Sequence, residues 1–346
     1  MQRLNILIWH IHGSYLNALA RIEHNWYLPT RPGLPEGYGG RGRTFDMPDY
    51  VREIPSERVR DLDLDLVIYQ TPKNFHQDAA EILSERQRAL PSIYLEHNTP
   101  KDSAFDERHS VDDSCTLLVH VTHYNRLMWD TGVTPTVVVE HSVAIDPSIR
   151  YVGDLDRGIT VVNGMQKRRR IAGYDLFLQA RDRVPLDVVG METQSFGGLG
   201  DVPYRDLHRC MAQYRFLFSP IRYTSLPLAV IEAMTIGMPV VALATTELPA
   251  VIEDGASGFV SCDLERLIGH MQRLRRDREE AHRLGARARA VALGRFGMNR
   301  FTREWNSAFA QAIELRGGPQ LHNLKPLTAA AAFRRDAADS HEDRDA

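Results

Sequence analysis

Short runs of apolar, mostly β-branched residues recur along the chain and alternate with segments of helical spacing. Runs that are apolar throughout are typical of parallel strands that helices bury on both faces. Ten such runs are predicted as strands: Leu4–Trp9, Leu66–Tyr69, Ser92–Leu95, Thr116–Val121, Thr136–Val139, Ile159–Val162, Leu186–Val189, Arg215–Ser219, Pro239–Ala242 and Gly258–Val260. Ten strands are too many for one ordinary open sheet of this kind, but they suit two. The pattern therefore predicts an α/β protein with two parallel-sheet domains.

Two irregular stretches interrupt the alternation. The stretch 143–158 is rich in Pro, Gly and Asp, and we interpret it as the linker between the two domains. The stretch 29–48 is a long loop of Gly, Pro and Arg, and loops of that length are usually functional or mobile. We predict an N-terminal domain at 1–146 and a C-terminal domain at 147–296. A further helix is predicted at 297–316 and a disordered tail at 317–346.

Composition narrows the class of protein. Apolar residues make up 43% of the 346 residues and charged residues 25%, and the net charge of −3 gives no reason to expect a nucleic-acid partner. The three cysteines form no C-x-x-C pair, which favours a reducing cytoplasm over disulfides or a zinc site. No apolar run is long enough for a signal peptide or a membrane span, so we expect a cytoplasmic protein with at most peripheral contact at the inner face of a membrane.

The segment 223–241, YTSLPLAVIEAMTIGMPVV, predicts a turn followed by a helix. Ser225 is expected to cap this helix, and Pro227 fits in its first turn, where a missing N–H costs nothing. The free N–H groups of Leu228 and Ala229 would then point out of the helix start. Together with the helix dipole they predict an anion site suited to a diphosphate.

The same helix carries a single acid, Glu232, among apolar residues. About one turn from the helix start, its carboxylate can accept hydrogen bonds from paired sugar hydroxyls, as acids do in dinucleotide sites. The alternative is an exposed glutamate at the edge of a core helix. The surrounding segment, Ser225–Val260, resembles the donor-binding segment of glycosyltransferase family 4 (group 1), bacterial type. The residues that match the family pattern are Leu228, Glu232, Ala233, Met234, Gly237, Pro239, Val240, Val241, Pro249, Asp254, Gly255 and Gly258.

This resemblance implies the GT-B fold, in which two Rossmann-like domains face a central cleft. The nucleotide sugar would bind the C-terminal domain and the acceptor the N-terminal domain, with the helix 297–316 crossing back to the latter. The implied enzyme is a retaining glycosyltransferase of hexosyltransferase type that needs no metal and no cofactor beyond its nucleotide-diphosphate-sugar donor. The implied acceptor is a glycan, a lipid-linked molecule or a small molecule, in cell-envelope polysaccharide or glycoconjugate synthesis. The oligomeric state is not implied.

The resemblance also implies roles for single residues. In the family, the second glutamate of an E-x7-E pair binds the nucleotide ribose, and here that residue is Glu232. The first glutamate, which contacts the donor sugar, is replaced by Thr224, whose hydroxyl can hydrogen-bond a sugar but cannot offset positive charge. This departure motivates an alternative, a non-catalytic sugar-nucleotide-binding subunit of a glycosylation complex. A GT-B-fold sugar-nucleotide epimerase is a more distant alternative.

Three further candidates follow predicted strands, where the family places its ligand contacts. The basic run after Ile159–Val162 is expected to hold the pyrophosphate through Arg168 and Arg170 with Lys167 behind them, although a solvated basic run is the alternative. His97 is expected to touch the donor sugar and phosphate, with Glu96 beside it as a weaker candidate.

Gly13 lies in a loop that resembles the family's glycine-bearing loop facing donor and acceptor, and a plain strand-to-helix turn is the alternative. Asp61, Asp63 and Asp65 form a D-x-D pattern, which holds a divalent ion in the other large glycosyltransferase fold. Such a motif belongs at the end of a strand, whereas this one precedes a strand. We therefore predict that these acids close a helix-to-strand turn and that no metal binds.

Overall fold

The structure, a computed structural model, describes residues 2–317 and contains two large parallel sheets. The first consists of β1 (Asn5–Ile8), β2 (Asn25–Thr30), β3 (Val51–Pro55), β4 (Leu66–Tyr69), β5 (Ser92–Glu96), β7 (Thr116–His120) and β9 (Thr136–Val138). The second consists of β10 (Leu155–Val161), β11 (Leu186–Val189), β12 (Tyr214–Ser219), β13 (Val240–Leu243) and β14 (Gly258–Ser261). A small separate ribbon pairs β6 (Glu107–Arg108) with β8 (Trp129–Asp130).

Helices cover both sheets. They are α1 (Gly13–Leu19), α2 (Ala79–Ile82), α3 (Glu85–Arg88), α4 (His123–Met128), α5 (Met165–Arg168), α6 (Tyr174–Arg181), α7 (Tyr204–Met211), α8 (Leu228–Ile236), α9 (Leu248–Val251), α10 (Leu264–Arg276), α11 (Arg278–Arg295) and α12 (Met298–Leu315). Shorter helical turns span Ser56–Asp61, Asn74–Asp78 and Gln194–Phe196. No helix within residues 2–317 combines the length and the apolar character needed to cross a membrane.

Strand order identifies the crevice in each sheet. The first sheet runs β3-β2-β1-β4-β5-β7-β9 and the second runs β11-β10-β12-β13-β14, with all neighbouring strands parallel. The order changes direction between β1 and β4 in the first sheet and between β10 and β12 in the second. Open α/β sheets bind ligands at the carboxyl ends of the strands that flank such a switch point. The topology therefore directs attention to the segments after β1, β4, β10 and β12.

Each of the ten predicted runs overlaps a strand of the two sheets, whereas β2 and β3 were not predicted. Pro29 lies inside β2, and proline argues against a strand. In β3 the charged Arg52 and Glu53 remove the apolar run, which the outermost strand of a sheet tolerates because one of its edges is unpaired. Two predicted boundaries are also wrong, since the linker 143–158 overlaps β10 and the loop 29–48 begins inside β2.

Helix α12 packs on the first sheet although it follows the helices of the second. Its buried residues Phe301, Trp305 and Phe309 belong to the same core cluster as Ile6 of β1 and Ile93 of β5. The chain therefore returns to the N-terminal sheet after α11. The domain limits at 146 and 296 remain predictions, and the predicted tail lies outside the described residues except for Gly317.

Helices α8 and α11 approach each other closely at Gly285. A β-carbon at Gly285 would lie 2.0 Å from the carbonyl oxygen of Gly237, the residue that ends α8, whereas a β-carbon at Gly294 would meet nothing within 4 Å. Both glycines belong to α11. The close approach thus requires a glycine at one position and not at the other.

We expect Gly285→Ala and Gly294→Ala to change stability in opposite directions. Gly285→Ala should lower the free energy of unfolding by about 1–3 kcal/mol, because the methyl group overpacks a backbone contact. Gly294→Ala, the matched control, should raise it by about 0.4–1 kcal/mol, because alanine restricts the unfolded chain. Urea unfolding followed by circular dichroism measures both values, and a stabilised Gly285→Ala protein would contradict the proposed packing.

Candidate donor site between the two sheets

The turn between β12 and α8 connects the two domains. Helix α8 begins at Leu228 with Pro227 as its N-cap residue, and no side chain of residues 2–317 caps it. The expectation that Ser225 caps the helix is wrong, because its buried hydroxyl donates to the carbonyl oxygen of His97 in the other domain at 2.8 Å. The first N–H groups of α8, on Leu228 and Ala229, therefore stay free of a side-chain cap, and such groups attract anions.

Glu232 is buried, with 3% of its surface exposed, so the alternative of an exposed surface glutamate is wrong. Its Oε1 accepts a hydrogen bond of 3.0 Å from the hydroxyl of Tyr204 and lies 3.5 Å from Nε2 of His208. Burial, with the charge of Glu232 adding to it, raises the pKa of Tyr204 well above its usual range, so this hydroxyl stays protonated and donates. The second oxygen, Oε2, has no hydrogen-bond partner within residues 2–317 and can accept from a ligand hydroxyl.

The basic loop after β10 lies against the same turn. A β-carbon at Gly173 would come within 1.9 Å of the carbonyl oxygen of Pro220, and the φ of this glycine is +74°. Arg222 joins the two segments again, since its backbone N–H donates to Ile171 O at 2.9 Å and its Nη1 donates to Arg170 O at 2.8 Å. The loop and the turn therefore form one edge of the second sheet.

The basic side chains of this loop differ in how their charges are neutralised. Arg170 lies 3.0 Å from Asp175, which also contacts Arg222 at 2.6 Å, and these contacts lower the pKa of Asp175. Arg168 has no ion pair among the described residues, and partial desolvation by its neighbours lowers its pKa. Lys167 is exposed on α5. Lys167 and Arg169 likewise have no ion pair among the described residues, so Arg170 is the only cation of 167–170 that is neutralised within residues 2–317. The charge of Arg168 is therefore open to an anionic ligand.

The first domain contributes a buried histidine to the junction. His97 follows β5, and its Nε2 is 3.0 Å from Oε1 of Gln70, whose Nε2 donates to the carbonyl oxygen of Trp9. The rings of His12 and Tyr15 pack against His97 at centroid distances of 4.0 and 4.7 Å. Burial lowers the pKa of His97 well below its ordinary value, so the ring is neutral. With Nε2 donating to Gln70, Nδ1 remains as an acceptor.

Phe45 lies between Gly13 of the first domain and Tyr204 of the second domain. A β-carbon at Gly13 would lie 2.7 Å from Cε2 of Phe45, and the ring of Phe45 packs 4.7 Å from that of Tyr204 in the second domain. Tyr204 in turn binds Glu232. The loop 31–50 therefore reaches across to the second domain beside Glu232. The absence of a side chain at Gly13 makes room for Phe45, and its contact with a phosphate stays a prediction.

The acids Asp61, Asp63 and Asp65 lie apart from this site. They occupy the turn between the Ser56–Asp61 helix and β4, as predicted, at the amino end of the strand. Asp65 is held there by the backbone N–H of Asn5 at 2.7 Å. Over residues 2–317 no group of three or more His, Cys, Asp and Glu side chains is arranged to hold a metal ion. Turnover without metal remains a prediction.

Three contacting residues were not identified from the sequence, namely Phe45, Gln70 and Tyr204. Tyr204 and His208 are one helical turn apart, a spacing that predicts a shared face but not that this face meets Glu232. Gln70 directly follows the predicted strand Leu66–Tyr69, and that position is a usable signal in a parallel sheet. Phe45 lies in a loop without a motif.

The chain is similar to known proteins in one sequence segment and in its fold. Residues 195–291 match the family model described as glycosyl transferases group 1. No curated protein matches the chain. Among solved structures, sucrose-phosphate synthase of Thermosynechococcus elongatus is 15% identical with a TM-score of 0.67, covering 90% of this chain and 100% of that one. HepE of Anabaena in complex with UDP and glucose is 13% identical with a TM-score of 0.66, covering 89% and 100%.

A TarM mutant of S. aureus, in complex with fondaparinux, alpha-GlcNAc-glycerol and UDP, is 14% identical with a TM-score of 0.58. That match covers 70% of this chain and 55% of the TarM chain. These structures are glycosyltransferases of the GT-B architecture, and the chain shares their fold, which confirms the predicted fold class. The residues that match the family model, 195–291, include Glu232 and the start of α8.

Buried neutral histidines make the stability of the protein sensitive to acid. Burial lowers the pKa of His12 from 6.5 to about 4 and that of His141 to about 3. The unfolded chain therefore binds more protons than the folded one below pH 6.5, so the free energy of unfolding is highest above that pH and falls towards pH 4. Each such histidine contributes about 1.4 kcal/mol per pH unit in this window.

We expect His141→Gln to reduce this pH dependence. Both ring nitrogens of His141 are buried without a hydrogen-bond partner within residues 2–317, so an uncharged amide removes one titration from the site. The free energy of unfolding should then change less steeply between pH 6 and 4.5, by about 1.4 kcal/mol per pH unit. Urea unfolding at a series of pH values measures the slope, and equal slopes for the two proteins would contradict the assignment.

Proposed function

We propose that the protein is a retaining glycosyltransferase of hexosyltransferase type that uses a nucleotide-diphosphate sugar. The observation that carries the proposal is the convergence of three features at one turn: the start of α8 and the charge of Arg168, which have no side-chain cap and no ion pair within residues 2–317, and the buried carboxylate of Glu232. Anion-binding N–H groups beside an acceptor for sugar hydroxyls match the two ends of a nucleoside diphosphate. The family match over residues 195–291 supports the same class of reaction.

In the proposed complex the diphosphate lies against Leu228 and Ala229 at the helix start, and Arg168 offsets its charge. The ribose hydroxyls donate to Oε2 of Glu232, while Tyr204 holds Oε1 in place. Uridine diphosphate is the first nucleotide to test, because two of the structures with the same fold are described as complexes with UDP. Arg170 positions the loop through Asp175.

The proposed reaction breaks the bond between the anomeric carbon and the diphosphate oxygen. The acceptor hydroxyl bonds to that carbon on the same face, and its proton passes to the departing phosphate oxygen, so no protein nucleophile is needed. The negative charge that grows on the leaving group is stabilised by Arg168 and the start of α8. Neutral His97 offers Nδ1 to a hydroxyl of the transferred sugar, and Thr224 offers a second polar contact.

The proposed setting is the cytoplasm, in cell-envelope polysaccharide or glycoconjugate synthesis, with a glycan, lipid-linked or small-molecule acceptor and peripheral contact with a membrane. Its support is the resemblance of Ser225–Val260 to glycosyltransferase family 4 of bacterial type. The rival function is a non-catalytic sugar-nucleotide-binding subunit. The presence of Thr224 where the family has a glutamate favours that rival, and a transfer assay separates the two.

We expect Glu232→Ala to weaken binding of UDP by about 1.5–3 kcal/mol, the scale of a hydrogen bond to a charged group. Isothermal titration calorimetry measures the affinity, and circular dichroism checks the fold. Glu314→Ala removes an exposed glutamate of α12 and serves as the matched control. Unchanged affinity in a folded Glu232→Ala protein would remove this residue from the nucleotide site.

We expect Arg168→Ala to lower the rate of sugar transfer by about 10²–10³, as the loss of one charge-stabilising donor does in other enzymes. Thr224→Ala should cost much less, because its hydroxyl contributes little to leaving-group departure. The assay follows labelled sugar from a panel of nucleotide sugars in the presence of EDTA, with Arg183→Ala as a surface control. Wild-type protein that binds a donor but transfers no sugar across a broad acceptor panel would favour the binding subunit, and activity only with added Mn²⁺ would refute the metal-free reaction.

A further inference from the structure

A cavity of about 300 Å³ lies in the N-terminal domain at the carboxyl ends of β4 and β5. Ile11, which follows β1, also lines it, so the cavity occupies the switch point of the first sheet. Ligands of open α/β sheets bind in this crevice. Apart from His97, the proposed donor contacts described above lie on the second sheet, and none of them uses this cavity.

The wall of the cavity contains a buried acceptor that lacks a donor. Asn74 lines the cavity, and only 1% of its surface is exposed. Its Nδ2 donates to Oδ2 of Asp78 at 2.8 Å, which fixes the orientation of the amide. The opposite atom, Oδ1, is buried and has no hydrogen-bond partner within residues 2–317. Buried polar atoms nearly always have a hydrogen-bond partner, so this unpaired oxygen of a wall residue is a candidate contact for a ligand hydroxyl.

A second acceptor stands on a rigid support. Glu96 ends β5 in the cavity wall, and its Oε2 is 3.2 Å from Nε2 of the buried His109. Its Oε1 accepts from the backbone N–H of Asn98 at 2.6 Å, which leaves lone pairs on both oxygens for ligand hydroxyls. Trp129 borders the same space, and its Nε1 donates to Asn98 O at 2.9 Å. Carboxylate and amide oxygens beside a fixed aromatic ring suit a ring that has polar edges and apolar faces.

Charge excludes an anion as the best ligand. The charged residues of the wall are two lysines and three glutamates, Lys73, Lys101, Glu36, Glu96 and Glu107. Lys73 also forms an ion pair with the fully buried Asp78. A wall without excess positive charge gives a phosphate or carboxylate ligand no net attraction. The lysines and the glutamates of the wall can, in contrast, all form hydrogen bonds with the hydroxyl groups of a neutral ligand.

The cavity adjoins the donor site. Gln70 lines the cavity and holds the ring of His97 at 3.0 Å. Burial is the main cause of the lowered pKa of His12, and the nearby charge of Lys101 lowers it further. The ring of His12 packs on His97. Burial is also the main cause of the raised pKa of Tyr223, and the charge of Glu107 raises it further. Tyr223 precedes Thr224 in the second domain. A ligand in this cavity would therefore lie close to His97, which is proposed to contact the transferred sugar.

We propose that this cavity binds an uncharged, polyhydroxylated ring, held by Asn74 and Glu96 and stacked on Trp129. Its role as the acceptor sugar rests on the proposed glycosyl transfer, whereas the binding itself does not. The acceptor of the reaction is on this basis a neutral sugar or a glycan end with a neutral sugar, and not a sugar phosphate or an acidic sugar.

Saturation-transfer NMR and calorimetry test this with the full chain. The probes are methyl α-glucopyranoside, methyl α-mannopyranoside, maltose and, as the anionic comparison, glucose 6-phosphate, each with and without UDP. We expect at least one neutral sugar to bind more tightly than glucose 6-phosphate. Trp129→Leu and Glu96→Gln should each weaken that binding at least tenfold and leave the affinity for UDP unchanged. Leu127→Ala, which removes an exposed side chain next to this region, is the control.

The outcomes separate the two proposals. Binding of UDP without binding of any neutral sugar, or tighter binding of glucose 6-phosphate, overturns the cavity assignment and leaves the donor site intact. Neutral-sugar binding that Trp129→Leu and Glu96→Gln do not alter also overturns it. Binding of a neutral sugar without any binding of UDP refutes the proposed glycosyl transfer but supports the cavity. Glu96→Gln keeps the size of the side chain, so the test remains decisive if Trp129→Leu does not fold.

Discussion

The candidate donor site depends on one close backbone contact, between Gly173 and Pro220. Any side chain at Gly173 would collide with the carbonyl oxygen of Pro220, and the positive φ of this residue also favours glycine. The contact brings the basic loop after β10 against the turn after β12. The same turn continues to Ser225, whose hydroxyl holds the backbone of His97. Cations, helix start and the histidine of the other domain are thus assembled around a single turn.

The burial of Glu232 is explained by its partners and by its proposed use. An ionised carboxylate inside an apolar helix is costly unless it accepts hydrogen bonds. Tyr204 supplies one bond, and the raised pKa of that hydroxyl keeps it a donor over the whole physiological range. Oε2 has no partner within residues 2–317, and a ribose in the site would provide one. A nucleotide would then complete a set of interactions that the apolar helix leaves incomplete.

Local patterns were sufficient for most of the fold. The alternation of apolar runs and helices predicted every strand that is buried on both faces. Such strands consist of apolar residues throughout, so a short segment of sequence is enough to identify them. β2 and β3 escaped because Pro29 and the charges of β3 contradict the strand pattern. Their positions are set by pairing with β1 and with each other, in registers such as Ile6 with Trp26. That information is non-local.

The same distinction divides the site. The free N–H groups of Leu228 and Ala229 and the position of Glu232 follow from helical geometry, which a short segment contains. The role of Ser225 could not be predicted, because its hydroxyl donates to a carbonyl group 128 positions away and does not cap the start of its own helix. Tyr204 likewise reaches Glu232 from another helix. Contacts between distant segments decide which polar groups are occupied and which remain for a ligand.

Thr224 stands where the family that the segment resembles has a glutamate, and this difference changes the charge beside the proposed donor sugar. In the proposed reaction a carboxylate beside the donor sugar would stabilise positive charge on the ring but would also repel the diphosphate. A hydroxyl removes both electrostatic effects, so the ring loses a stabilising charge. Only interactions that are stronger in the transition state than in the ground state accelerate a reaction. In the proposed reaction, catalysis must then come from interactions that strengthen as charge moves onto the leaving group. The guanidinium of Arg168 and the first amides of α8, which have no ion pair and no side-chain cap within residues 2–317, are groups of that kind.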